Sequence, residues 1–158
     1  MVEETAVLLT REGLGRLKAE LKELRTVRRA EVAAAIREAQ ELGPDQQDGQ
    51  YEDAKNQQAF LEGRISEIER MLERAVVIDE EAAHKSKEVR VGSTVTLKTK
   101  DGKSRKFQLV GPAEANPSEG RISHESPVGR ALLGKKRGEK VVVRAPGGDT
   151  EMTITTVS

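Results

Sequence analysis

Five carboxylates fall in one short stretch of this 158-residue chain: Glu41, Asp45, Asp48, Glu52 and Asp53, with no basic residue between Glu41 and Lys55. Carboxylate oxygens are hard donors that suit Mg²⁺. Asp45 and Asp48 are three residues apart, so on a helical turn they would share a face. A purely structural role is also open to them. Asp45 or Asp48 would cap a following helix, and Glu52 and Asp53 in its first turn would complement the helix dipole. Arg25, Arg28 and Arg29 could form a short basic strip near a nucleic-acid backbone, although Glu23, Glu31 and Glu38 are interleaved to pair with them along a helix. Other catalytic chemistry is poorly supplied. His84 and His124 lie far apart, without partners at ligand spacing. The absence of Cys excludes a thiolate site, a disulfide and a Cys nucleophile. Gly43-Pro44 and Pro146-Gly147-Gly148 read as turns, since neither follows a strand and opens a helix as a phosphate loop must. Tyr51 alone near the acidic stretch is too little for base stacking to read a sequence. These residues suit a chain that offers ligands to another protein's catalytic centre and has none of its own.

Two helices must position the acidic stretch. Thr10 is a good N-cap, with Leu9 and Leu14 placed to staple the entry. Leu14, Leu17, Leu21 and Leu24 then repeat at 3-4-3 spacing, and the stripe drifts by one position through Val27, Val32, Ile36, Ala39 and Leu42. Gly43-Pro44 stops it. Residues 11–42 therefore read as one helix of about 48 Å at 1.5 Å per residue. A second helix is expected from near Gly49-Gln50, with Ala54, Gln58, Leu61, Ile65, Ile68, Leu72 and Ala75 alternating 4 and 3. Neither helix can bury its stripe alone. Joined by a loop of about six residues, they predict an antiparallel coiled-coil hairpin with its tip at residues 43–50.

The composition changes after residue 88. Val95, Leu97 and Thr99 alternate with polar residues, Asp101-Gly102 is a hairpin turn, and Phe107, Leu109 and Val110 form the return strand. Ser126-Pro127 reads as an N-cap with Pro at the first position of a short helix ending at Gly134. Val141–Val143 and Met152–Thr155 flank the Pro146-Gly147-Gly148 turn. The fold class is α+β: a hairpin domain at 1–78, a charged connection at 79–88, and a small, mostly antiparallel β domain with one short helix at 89–158. With 27 Lys+Arg against 27 Asp+Glu the net charge is zero, yet residues 1–78 hold 12 basic and 16 acidic residues and residues 79–158 hold 15 and 11. Neither half has the strongly basic character of an electrostatic nucleic-acid binder. No apolar run reaches the ~18–20 residues of a membrane span, and the acidic start (Glu3, Glu4) is unlike a signal peptide. A soluble cytoplasmic protein is expected.

The sequence resembles bacterial transcription elongation and transcript-cleavage factors of the Gre family. The resemblance is carried by Leu9-Thr10-Arg11-Glu12-Gly13, Arg28-Arg29-Ala30-Glu31-Val32, Ala34-Ala35-Ile36-Arg37-Glu38-Ala39, Tyr51-Glu52-Asp53-Ala54-Lys55-Asn56-Gln57-Gln58 and Phe60-Leu61-Glu62-Gly63-Arg64-Ile65. It continues through Ala75-Val76-Val77-Ile78-Asp79, Ser126-Pro127-Val128-Gly129-Arg130-Ala131-Leu132-Leu133-Gly134-Lys135 and Pro146-Gly147-Gly148. It implies a C-terminal domain similar to the FKBP type. It also implies a partner, bacterial RNA polymerase: the C-terminal domain at the rim of the secondary channel, with Ser126 and Pro127 facing that rim, and the hairpin inserted toward the active centre. Such a factor has no cofactor of its own and is not an enzyme; for this chain a monomer is expected. Its tip carboxylates help the polymerase hold a second Mg²⁺ for hydrolysis of backtracked RNA, so its contact with the RNA 3′ end is indirect.

The tip departs from the family pattern, Gly-Asp-x-x-Glu-Asn-x-Glu-Tyr. Gly43 and Tyr51 keep their separation, which puts Pro44 at the Asp position, Gln47 at the Glu position, Asp48 at the Asn position and Gln50 at the later Glu position. Asp45 and Asp48 keep the i, i+3 relation, shifted by one residue, a rotation of about 100° on a helix. Glutamine is a neutral and weaker Mg²⁺ ligand, and proline offers no side-chain ligand. The favoured expectation is a Gre factor with weakened or lost cleavage stimulation. A cleavage factor using Asp45 and Asp48, and an inhibitory channel-binding relative, stay open.

Overall fold

The computed structural model describes residues 5–42 and 44–158, with backbone alone at 44–48 and 145. Its contacts divide the chain into two units, residues 14–74 and residues 1–13 with 75–158.

The helical unit is built from α1 (Arg11–Glu23), a π-helical turn (Leu24–Arg28), α2 (Arg29–Glu41) and α3 (Pro44–Glu73). Leu17, Leu21, Val32 and Ala39 from the first limb and Ala54, Leu61, Ile65 and Ile68 from the second are buried, so the two apolar stripes face each other as their periodicity requires. The expected single helix of residues 11–42 is interrupted. From Leu21 to Val32 the buried stripe jumps 11 residues, half a residue beyond three turns of 3.5-residue winding, and the wide π turn lies inside that jump. Val27, read as part of the stripe, is instead about half exposed. The connection differs too. After a bend at Leu42 the second helix begins at Pro44, several residues before the expected Gly49-Gln50. Proline is favoured at the first helical position because its fixed φ suits the helix and its missing N–H would be unpaired there. Gly43, assigned as a helix stop, lies outside the described residues.

The other unit holds a five-stranded sheet of order β5-β4-β3-β7-β6, from β3 (Thr94–Thr99), β4 (Ser104–Val110), β5 (Arg121–Ser123), β6 (Lys140–Ala145) and β7 (Gly148–Val157). All pairs are antiparallel except β4 with β5. Val95, Leu97, Leu109, Ile154 and Leu132 of α5 (Pro127–Leu132) form its buried centre. The turns fall where the sequence puts them: Gly102 has φ of 85° between β3 and β4, and Gly134 has φ of 78° just after α5. The segment read as a connection contains α4 (Glu80–Lys85), capped by Asp79, whose carboxylate accepts from the Ala82 N–H at 3.0 Å. A two-stranded parallel pair, β1 (Val7–Leu9) with β2 (Ala75–Val77), was not expected. It brings the chain's start, and Ala75 of the second stripe, into this unit, because Leu9 is fully buried and its carbonyl accepts from the Ile78 N–H at 2.8 Å.

Candidate polymerase-binding surfaces

At the start of α1, the Gly13 N–H donates to the Thr10 hydroxyl oxygen at 3.0 Å, which is the cap expected from sequence. A distant group joins it. Glu114 accepts from the Thr10 N–H at 2.7 Å and from its hydroxyl at 2.6 Å, placing a carboxylate on the positive end of the helix. Thr10 is 5% exposed and Glu114 is half-buried, so the cluster is only partly open to solvent.

Along the hairpin, each arginine of the candidate basic strip meets a carboxylate. Arg25 donates to Glu69 at 2.7 Å, Arg28 to Glu31, and Arg29 to both oxygens of Glu62 at 2.9 Å. Arg64 grips Glu20 in the same two-point way, at 2.8 and 3.0 Å, and also reaches Glu67. Arg29 holds the Glu62 carboxyl below its ordinary range, and Glu20 raises the Arg64 guanidinium further above its own. Three of these pairs cross between limbs, where sequence reasoning anticipated pairs along one helix. Planar forks of this kind fix the register of the limbs more than they add stability, since exposed pairs contribute little.

At the tip, Asp45 and Asp48 lie in the first turns of α3, with Pro44 and Gln47 beside them on the same helical backbone. Their side chains lie outside the described part, as does the capping role considered for them. Among the described residues no group of three His, Asp or Glu side chains is arranged to hold a metal, and no helix is long and apolar enough to cross a membrane.

In the sheet unit, Ser126 caps α5: its hydroxyl accepts from the Gly129 N–H at 3.1 Å and donates to the Ser123 carbonyl at 2.7 Å. Pro127 follows, exposed. Beside them opens an apolar cleft of about 610 Å³ lined by Phe107, Ile122, Ser126, Val128, Val143 and Met152. Sequence reasoning missed the cleft, although Phe107 and Met152 were already assigned to neighbouring strands; only the sheet order makes them walls of one cavity.

The described residues form a helical hairpin and, as a separate unit, a β domain with an open apolar cleft, and no group of side chains among them is arranged to hold a metal. The family model described as "Transcription elongation factor, N-terminal" matches residues 7–77, and "Transcription elongation factor, GreA/GreB, C-term" matches residues 83–158. The chain belongs to the GreA/GreB family of transcription elongation factors. It is 53% identical to a transcription elongation factor GreA of Chloroflexus aurantiacus over 152 residues, covering 96% of each chain. It is 44% identical to that of Bacillus cytotoxicus over 158 residues, covering 99% of each. The solved structure of the GreA factor homolog 1 (Gfh1) protein of Thermus thermophilus is 33% identical, covers 97% of this chain and 99% of its own, and superimposes with a TM-score of 0.44. Factors of this family act on bacterial RNA polymerase and have no cofactor of their own. They are accessory proteins that stimulate the polymerase's intrinsic cleavage, not enzymes themselves.

Proposed function

We propose that this chain binds bacterial RNA polymerase with Ser126, Pro127 and the adjoining cleft at the channel rim, and inserts its hairpin into the secondary channel of stalled or backtracked complexes. Its transcript-cleavage stimulation is weakened or lost. The observation that carries this is the helical backbone of residues 44–48, with Pro44 first in α3. On a helix a one-residue shift swings an acid by about 100°, and a ligand misplaced by about 1 Å can lower a rate by orders of magnitude. A flexible loop could bring Asp45 and Asp48 back to the family positions; a helical turn must unwind to do so. Hydrolysis by two metals needs ligands for both, and the polymerase's Mg²⁺ would find a proline and a neutral amide where the family offers acids. One observation favours the second reading, a fully active factor: helical backbone keeps Asp45 and Asp48 on a common face. In either case Arg25, Arg28 and Arg29 lie back from the tip with their charge already met by carboxylates, so they add at most a weak contact to the transcript backbone, and contact with the RNA 3′ end is indirect. Action on polymerase implies a cytoplasmic protein, and a channel that admits one hairpin implies a monomer.

The test is a backtracked elongation complex with 3′-labelled RNA, incubated with Mg²⁺ and the protein. Intact RNA together with displacement of a cleavage-competent GreA is expected, with cleavage appearing in the Pro44→Asp, Gln47→Glu double variant. Short 3′ fragments abolished by Asp45→Ala or Asp48→Ala would establish the second reading instead.

A further inference from the structure

A second stripe runs along α3 outside the hairpin core. Asp53, Asn56, Phe60, Gly63 and Glu67 repeat at spacings of 3, 4, 3 and 4, and all five are exposed. Phe60 sits about 100° round the helix from Leu61, which is buried. Phe60 is 80% exposed, in a chain with only two Phe and one Tyr, while the other Phe, Phe107, packs against the sheet core. Gly63, one turn further, has nothing within 4 Å of where a Cβ would stand, so no close contact requires glycine there. An interior glycine weakens a helix relative to alanine, and an exposed phenylalanine leaves a large apolar face in water. Neither choice helps the isolated chain. Together they make a projecting ring beside a shallow notch where another surface could approach the backbone.

We propose that Phe60 and Gly63 form a contact surface for RNA polymerase, with the ring entering an apolar socket that has cationic groups beside it. This rests on the polymerase-binding reading above and extends it to the flank of the hairpin. Charge selects the partner. Helix α3 carries eight acidic residues against three basic. Of those three, Arg64 is engaged by Glu20 and Glu67, and Lys55 donates to Gln58. Glu52 and Asp53 make no ion pair among the described residues. Lys55 keeps its charge while donating to the neutral Gln58 amide, so Glu52 and Asp53 leave this stretch one charge negative, which disfavours a phosphate backbone. It also disfavours a second copy: two such helices crossed antiparallel at Phe60 would set Asp53 against Glu67, and parallel pairing would set each acid against itself.

Binding of fluorescently labelled full-length protein to core polymerase tests this, with the thermal midpoint and sedimentation measured on each variant. Phe60→Ala should weaken binding by about ten- to a hundred-fold, in keeping with a central aromatic anchor, and Phe60→Leu should retain most of it. Gly63→Ala should raise the thermal midpoint while weakening binding, an opposition of sign that a merely structural glycine would not produce. Wild-type binding unchanged by Phe60→Ala would overturn the inference and leave the polymerase reading standing. No binding by the wild type would overturn that reading and this inference with it. A wild-type dimer that Phe60→Ala dissociates would overturn it in favour of self-association.

Discussion

Gly129 lies so close to the Ser123 carbonyl that an added Cβ would stand 2.1 Å from its oxygen, and backbone on that side cannot swing away as a side chain can. Gly129→Ala is expected to lower unfolding free energy by roughly 1–3 kcal/mol, the range for overpacking a tight site, as read by denaturant melts. Gly13→Ala acts by a different route. Its Cβ would meet the Glu114 carboxylate at 2.1 Å, and that carboxylate must then leave the Thr10 N–H and hydroxyl. Loss of charge-assisted hydrogen bonds at a buried cap costs about 1.5–3 kcal/mol. The Glu114→Gln, Gly13→Ala double variant should lose less than the two single losses added together, since both act on one cluster.

Among the elements, the hairpin limbs are registered by Arg29 with Glu62 and by Arg64 with Glu20. Arg29 depresses the Glu62 carboxyl in the folded state. Its contribution is present above the unfolded carboxyl value, near pH 4, and is lost as pH falls through the lower folded value. Thermal melts followed by helical circular dichroism should therefore show a midpoint that falls below about pH 4, with a shallower fall in Glu62→Gln. Equal slopes in the two proteins would assign the acid sensitivity to other carboxylates. The π turn explains why two limbs with different spacing still face each other: it absorbs the excess in the first limb while the second keeps an unbroken 4-3 alternation.

For the whole molecule, the first residues belong with the last eighty. Leu9 in β1 is fully buried, and its carbonyl receives the Ile78 N–H. Leu9→Ala should cost about 2–5 kcal/mol, as large-to-small changes in cores do. Hydrogen exchange should register the loss in the sheet unit and around Ile78, leaving Ile65 and Ile68 in the hairpin protected. A fragment beginning at residue 79 would lack both β1 and β2, and is expected to melt below the same unit in the full chain.

Local rules were enough for much of this protein. Alternating 4-3 spacing named the buried face of α3, alternation of two named Val95 and Leu97, and the Ser126-Pro127 pair marked the start of α5, because periodicity, capping and turn chemistry act within a few residues. Only the tertiary structure joined Thr10 to Glu114, β1 to β2, Arg29 to Glu62, and Phe107 to Met152 across one cleft. Those partners lie tens of residues or more apart, and no short-range preference encodes which distant strand or carboxylate will arrive. That choice is made by the shared burial of whole faces, which exists once the chain has closed.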